Sequence, residues 1–389
     1  MSQAYIVNAL RSAGGRRNGR LAGWHPADLC AAIIDALIDR TGIDPSAVED
    51  VIMGCVTQGG EQSSHIGRGV VLASRLPESV PAVTIDRQCG SSQQALQFAA
   101  QAIMSGTQDV VIAAGVESMT RVPMGSARSL YTQAGLGKPK SPRQEARYPG
   151  VVFSQFTGAE MLAKKYGFDR ESLDLFALES HRKAAAATAR GAFTDEIVSL
   201  RIDTPDGTHI HDRDEGIRAD ATLSSIGSVR PIQEGSMISA ANASQICDGA
   251  AAALIVSEQA LRIHGLTPMG RIHSFLVTGG DPVIMLEEPI RATQRALDRA
   301  GMRIEDIDLY EVNEAFAPVP LAWLKAIGAD ADRLNVHGGA IALGHPLGAT
   351  GVKLAATLMH ALKDRNHRFG LQTMCEGGGL ANVTIFERL

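Results

Sequence analysis

The sequence predicts an α/β protein built as two similar halves, with an extra segment inserted into the first. Three observations carry this. Apolar strand patterns alternate with amphipathic helical patterns along most of the 389 residues. The order of those patterns in the N-terminal part returns in the C-terminal part. Between them, residues 119 to about 247 scatter Pro, Gly, Arg and Ser and break the alternation. Alternation of this kind implies parallel sheets with helices on their faces.

The elements follow in order. Ala4-Tyr5-Ile6-Val7 reads as a first strand. Leu29, Ile33, Ala36, Leu37 and Arg40 share helical spacing, with Pro26 near the start and Gly42 just past the end. A short acidic turn leads to a strand at Asp50-Val51-Ile52-Met53-Gly54. Ala82-Val83-Thr84-Ile85 is strand-like, and a helix runs from about Ser91 to Met104. Val110 to Gly115 reads as a buried strand. In the inserted segment the one good helical stretch spans Asp169 to Arg190. The first half resumes at Asp248 to Val256, a small-residue run that could open a helix or a strand. The second half repeats the scheme. A helix after Pro289 stops at Gly301, Asp308 to Val312 is a strand, Gly351 to Leu362 a helix and Gly370 to Cys375 a strand. Ala36-Leu37-Ile38-Asp39-Arg40-Thr41-Gly42 resembles Ala296-Leu297-Asp298-Arg299-Ala300-Gly301. The halves are therefore expected to be related by a pseudo-two-fold axis. Their bounds are 1–118 plus 248–268 for the first half, 119–247 for the insertion and 269–389 for the second half.

Composition narrows the function. The chain is 45% hydrophobic and 20% charged, with a formal net charge of −5, so no global basic field favours nucleic acid. Five cysteines, an odd number and widely spaced, argue against a disulfide framework and against zinc knuckles. His209 and His211 alternate in a strand-like stretch without a second ligand pair, so no metal site is expected. No secretory signal and no membrane-spanning run is evident, which makes the cytoplasm the expected compartment.

Four short motifs carry chemistry. Cys89 follows a strand and precedes a helix, where the helix dipole favours a thiolate; taken alone it is equally a small buried hydrophobe. Asn313-Glu314-Ala315-Phe316 follows a strand end, where α/β sheets bind ligands, although Asn313 could simply cap a helix. His345 lies in Gly344-His345-Pro346-Leu347-Gly348-Ala349-Thr350-Gly351. Glycines bare its surroundings and Pro346 stiffens the backbone after it, which presents the ring to a ligand better than it explains a core residue. Cys375 opens Cys375-Glu376-Gly377-Gly378-Gly379, whose amides could hold an oxyanion. Cys30, Cys55 and Cys247 look inert.

In this order the four motifs resemble the thiolase family over essentially the whole chain. The family carries a C-x-S segment, an N-E-A-F motif, a G-H-P-x-G-x-[ST]-G motif and a C-x-G-G-G motif. The resemblance implies a duplicated five-layer αβαβα core with an inserted loop domain that covers coenzyme A. It implies acyl transfer between CoA thioesters through an acyl-cysteine, either thiolytic cleavage of a 3-ketoacyl-CoA to acyl-CoA and acetyl-CoA or the reverse Claisen condensation. Cys89 would be the nucleophile, His345 its proton acceptor and Cys375 the base for the second step. His345 and a water on Asn313 would form one oxyanion site, and the Cys89 and Gly377 amides the other. Ser244 would touch the pantetheine arm and Arg218 the nucleotide end. No cofactor is permanently bound; CoA and acyl-CoA are substrates. The resemblance also implies a homodimer or homotetramer and a place in fatty acid metabolism or lipid degradation.

The segment Phe153 to Glu160 lacks the Met-Gly common near the family's acyl pocket, and Glu376 stands where an apolar residue is usual. These departures fit degradative ring- or steroid-side-chain enzymes better than short-chain biosynthetic ones. The alternatives are another condensing enzyme of the superfamily and a non-catalytic thiolase-like lipid-binding protein. The Cys375 motif argues against the first, and the intact Cys89, His345 and Cys375 argue against the second.

Overall fold

A computed structural model describes residues 3–204 and 207–389. Nine main strands form its framework: β1 (Tyr5–Ser12), β2 (Asp50–Gly54), β3 (Ala82–Ile85), β4 (Val110–Ser118), β5 (Cys247–Val256), β6 (Gly270–Gly279), β7 (Leu309–Val312), β8 (Phe369–Glu376) and β9 (Leu380–Arg388). They lie in the order β7-β8-β9-β6-β1-β5-β4-β2-β3. The duplication is visible in that order. The run β2-β4-β5-β1 has the same connectivity and strand senses as β7-β8-β9-β6: a parallel pair, then two antiparallel ones. The halves join where β1 meets β6, through Tyr5↔Arg271 and Ile6↔Gly270.

The expectation of parallel sheets is thus only partly met. Parallel pairing is confined to β2–β3, β2–β4 and β7–β8 among the main strands. The reason lies in the connections. β8 and β9 are joined by a tight hairpin, with Gly378 at φ +88° and Gly379 at φ +79°, and a hairpin can only give antiparallel neighbours. The small-residue run after the insertion proves to be strand β5, buried along its whole length between β4 and β1.

Helix α1 (Pro26–Thr41) begins where His25 Nδ1 accepts the Ala27 N–H and ends at Gly42, φ +69°. It covers the outer face of the first half, where Leu29, Ile33, Leu37 and Val70 pack on Val51, Ile112 and Leu254. On the second half, α5 (Glu288–Ala300) and α6 (Pro318–Ile327) bring Ala292, Ala296 and Trp323 onto Val312, Val383 and Ile385. Between the halves lie two helices at equivalent places, α2 (Ser91–Ser105) and α7 (Thr350–Asp364), packed with residues of both half-sheets. Every residue of α7 from Thr350 to Leu362 is buried. The helices meet at their N-terminal ends. A Cβ on Gly351 would lie 1.9 Å from the Gln93 nitrogen, and Ser92 Oγ accepts the Val352 N–H at 3.1 Å. Only glycine permits that approach.

The inserted segment is more helical than its sequence suggests. Besides the expected α4 (Arg170–Ala189), which Asp169 caps, it contains α3 (Gln155–Tyr166) and shorter helices at Ser126–Gln133 and Pro142–Arg147. His209 and His211 lie on a two-stranded ribbon. His211 is buried with Nε2 3.0 Å from the Ala13 carbonyl, while His209 is exposed.

Candidate active site

The loops that precede the two central helices carry Cys89 and His345. After β3, the chain turns through Gln88 at φ +49° and delivers Cys89 one residue before the cap of α2. Gly90 is required there, because a Cβ would lie 2.0 Å from Glu376 Oε1. The thiol is buried, and burial pushes it up to about 12, with the nearby Glu376 charge acting in the same direction. The Gln155 side chain and the N–H of Gly377 oppose that rise. Burial thus works against the thiolate that a position at a helix start favours.

His345 is buried as well, not exposed as its glycine-rich loop suggests. Its Nδ1 lies 2.6 Å from Thr350 Oγ1, and that hydroxyl donates to the Pro346 carbonyl at 2.9 Å. A hydroxyl has one proton, so Thr350 accepts from His345 Nδ1–H. This leaves the lone pair on Nε2, which faces the Asn313 amide nitrogen at 3.4 Å. Burial, helped by the Lys353 ammonium, pulls the imidazole down to about 3 and keeps it neutral. The geometry describes a base whose tautomer is fixed from behind.

The backbone around His345 is held at several points. Gly344 adopts φ +79° and ψ 161°, and a Cβ on it would lie 2.5 Å from Cys247 Sγ. Lys353 Nζ donates to the carbonyls of Leu343 and Gly344 at 2.5 and 3.2 Å. The His345 N–H donates to the Gln245 carbonyl at 3.2 Å. Glu117, a buried carboxylate, accepts from the N–H groups of Val56, Thr57 and Gly348.

Cys375 is the penultimate residue of β8 and is buried; burial first, then the Cys89 and Glu376 charges, push its thiol well above the ordinary range. Leu347, two residues past His345, packs with Cys89 and with Met374, the neighbour of Cys375. Cys89, the histidine loop and the end of β8 thus converge. Glu376 is wholly buried, and burial holds its carboxyl well above the usual range. Its Oε1 is within 2.9 Å of the Asn382 amide nitrogen when that amide also accepts from the Gln94 N–H, and its Oε2 has no partner among the described residues.

Asn313 is not a helix cap, since α6 starts only at Pro318. Its N–H is bonded to Thr373 and its Oδ1 is buried without a partner among the described residues. Glu314 is a structural hub: it accepts from Ser180 Oγ at 2.7 Å, Asn335 Nδ2 at 2.9 Å and the Ile341 N–H at 3.1 Å.

Ser244 is half-buried, and its N–H is bonded to Ala315, the third residue of the Asn-Glu-Ala-Phe loop. Arg218 is exposed; its N–H donates to His181 Nδ1 at 3.2 Å. The adjoining Gln245 side chain bridges the Gly216 and Ile341 carbonyls, so both segments border the histidine loop. Cys30, Cys55 and Cys247 are buried, and burial raises all three thiols. Sequence inspection missed Gln155, Gln245 and Lys353. Their spacing carries no motif, and only the packing of the insertion and of α7 brings them to the site.

Residues 4–259 match the family described as thiolase, N-terminal domain, and residues 266–388 match thiolase, C-terminal domain. The chain is 50% identical to the steroid 3-ketoacyl-CoA thiolase FadA6 of Mycobacterium tuberculosis, over 100% of this chain and 95% of that protein. It is 42% identical to the acetyl-CoA acetyltransferase of Escherichia coli, with both chains fully covered. Among solved structures it is similar to human mitochondrial 3-ketoacyl-CoA thiolase, with a TM-score of 0.89 at 33% identity, covering 100% of this chain and 99% of that one.

Proposed function

The chain belongs to the thiolase family, and we propose that Cys89, His345 and Cys375 divide its reaction between them. The reaction class is acyl transfer between CoA thioesters: thiolysis of a 3-ketoacyl-CoA or the reverse condensation. CoA and its thioesters are substrates rather than resident groups. In the first step Cys89 Sγ attacks an acyl carbonyl and its proton passes to His345 Nε2. With the thiol high and the imidazole low, the neutral pair is the resting state, so the proton moves as the sulfur attacks. His345 then returns the proton to the departing CoA thiolate.

In the second step Cys375 gives its proton to His345 Nε2 and, as thiolate, takes one from the carbon beside the acetyl-CoA carbonyl; the enolate attacks acyl-Cys89, the carbon–sulfur bond breaks, and the departing Cys89 thiolate takes the proton that His345 holds. Charge on the enolate oxygen is met by His345 Nε2 while it holds the proton taken from Cys375, and by a water on Asn313 Oδ1. Charge on the acyl-enzyme oxygen is met by the N–H groups of Cys89 and Gly377. The observation that carries this reading is the packing of Cys89 with Leu347 of the histidine loop and with Met374 beside Cys375, which brings the three motifs to one place.

Residues 119–247 form the loop domain in this reading, with Ser244 on the pantetheine arm and Arg218 near the nucleotide. Strand β3 is one of the two outer strands of the sheet; Val83 on it is 41% exposed and Phe98 on α2 38%, which supports a homodimer formed across this edge or a tetramer of such pairs. No helix among the described residues is long and apolar enough to cross a membrane, and a cytoplasmic enzyme is the proposed setting. A degradative role on a bulky ring-derived acyl group is supported by the 50% identity to the mycobacterial steroid thiolase. Mass spectrometry after incubation with an acyl-CoA tests the nucleophile: Cys89→Ala should form no acyl adduct, and an adduct surviving in that variant refutes the assignment.

A further inference from the structure

The peptide group between Gly344 and His345 is gripped at both ends. Its carbonyl accepts from Lys353 Nζ at 3.2 Å, and its N–H donates to the Gln245 carbonyl at 3.2 Å. Such a grip is needed here. Gly344 lies in the left-handed φ range at +79°, and glycine is the least restricted joint a backbone can have. A peptide plane flanked by such a joint turns easily unless both of its polar groups are held. A small turn of that plane swings the whole imidazole, because His345 Cα is its far end.

Lys353 is an expensive way to hold a carbonyl. The residue is 3% exposed, and Asp214 Oδ1, 3.8 Å away, is already engaged by Arg11 at 2.8 Å and by the Gly14 N–H at 2.7 Å. An apolar side chain of similar length would fit an interior at lower cost. The ammonium is therefore retained for what it touches, the two carbonyls just before His345. It also sits one helical turn past Thr350, which grips the ring itself, so α7 holds both the ring and the backbone of its histidine. The second grip leads elsewhere: the Gln245 side chain is anchored on the Gly216 carbonyl, two residues from Asp214.

We propose that Lys353 is a positioning residue for the acyl-transfer step, fixing with the Gln245 carbonyl the peptide plane that aims His345 at Cys89. The proposal rests on the assignment of His345 as the base. It is tested in the full-length enzyme by the rate of Cys89 acylation from acetyl-CoA, read by rapid quench and mass spectrometry. Lys353→Met should slow acylation by at least about tenfold while the half-saturating acetyl-CoA concentration stays within about threefold, the signature of a step weakened without loss of binding. Lys353→Arg, which keeps a charged donor, should recover most of the rate. Should the methionine variant fail to fold, Lys353→Gln is read in the same way.

Acylation at the wild-type rate in Lys353→Met or Lys353→Gln overturns the proposal. So does an equal loss in the arginine and uncharged variants accompanied by weakened binding, because that pattern marks a merely structural lysine. His345→Ala separates the two levels. Undiminished acylation in that variant refutes the base assignment itself, whereas loss there with no effect at Lys353 refutes only the positioning role.

Discussion

Thr350→Val isolates the hydrogen bond that sets the His345 tautomer. The substitution keeps nearly the same shape and removes one hydroxyl. In the structure that hydroxyl serves two buried groups, His345 Nδ1 at 2.6 Å and the Pro346 carbonyl at 2.9 Å. Both lose their partner in a region that excludes water; Thr350 itself is 1% exposed. At about 1–2 kcal/mol for each buried group left unpaired, the variant should lose about 2–4 kcal/mol of stability. The functional effect is separate. Once Nδ1 has no acceptor, the proton can move to Nε2, and the ring then presents an N–H to Cys89 where a lone pair is needed. Removing a bond worth about 1.4–2.8 kcal/mol to the productive tautomer predicts Cys89 acylation slowed by about 10- to 100-fold. The assays are denaturant unfolding, nitrogen-15 NMR of the histidine ring and rapid-quench acylation. Thr350→Ser, which keeps the hydroxyl, should behave close to the wild type. A valine variant that retains the Nδ1–H tautomer and the wild-type acylation rate would refute the reasoning.

Two further outcomes follow from the buried charges. The His345 imidazole, pulled down to about 3 by burial, should show no ring titration by NMR as the pH is lowered from 8 to 5. Its lone pair is then available across that range, so the second-order acylation rate should have no acid limb near pH 6.5; a limb there that disappears in His345→Gln would contradict the assignment. Glu376→Gln removes a carboxylate that raises both reactive thiols. Alkylation of Cys89 by iodoacetamide should therefore be faster in the variant at pH values where Glu376 is ionised and equal where it is protonated. Superimposable alkylation profiles would show that the carboxyl does not act on the thiol.

Much of this architecture was legible because glycines and prolines punctuate the chain. Pro26 and Gly42 bracket α1, and Asp169 starts α4, as their local chemistry dictates. The order of the repeat also survived, since each half needs the same apolar faces. Strand pairing did not survive as well. β5 is a ten-residue, mostly small and apolar run, CDGAAAALIV, whose composition fits a helix as readily as a strand, and its neighbours β4 and β1 lie far away in sequence.

The site divides along the same line. Cys89, Asn313, His345, Cys375 and Gly377 lie within recognisable motifs. Thr350, although inside one of them, gave no hint that it orients the ring, because that depends on where its hydroxyl proton is spent. Lys353 and Gln245 were invisible, being contacts made by packing rather than by spacing. The depth of Cys89 was not legible either: the sequence places the residue at a helix start, which favours a thiolate, but says nothing of the burial that works against one.

The central claim is that two cysteines do separate work, Cys89 carrying the acyl group and Cys375 moving the carbon-bound proton. The direct measurement is a Cys375→Ala variant followed in both half-reactions. Mass spectrometry should find Cys89 acylated by acetyl-CoA as in the wild type, while cleavage and formation of the carbon–carbon bond fall by about 10²–10⁴-fold, the usual worth of a positioned proton-transfer group. Normal thiolysis of a 3-ketoacyl-CoA by that variant would contradict the account.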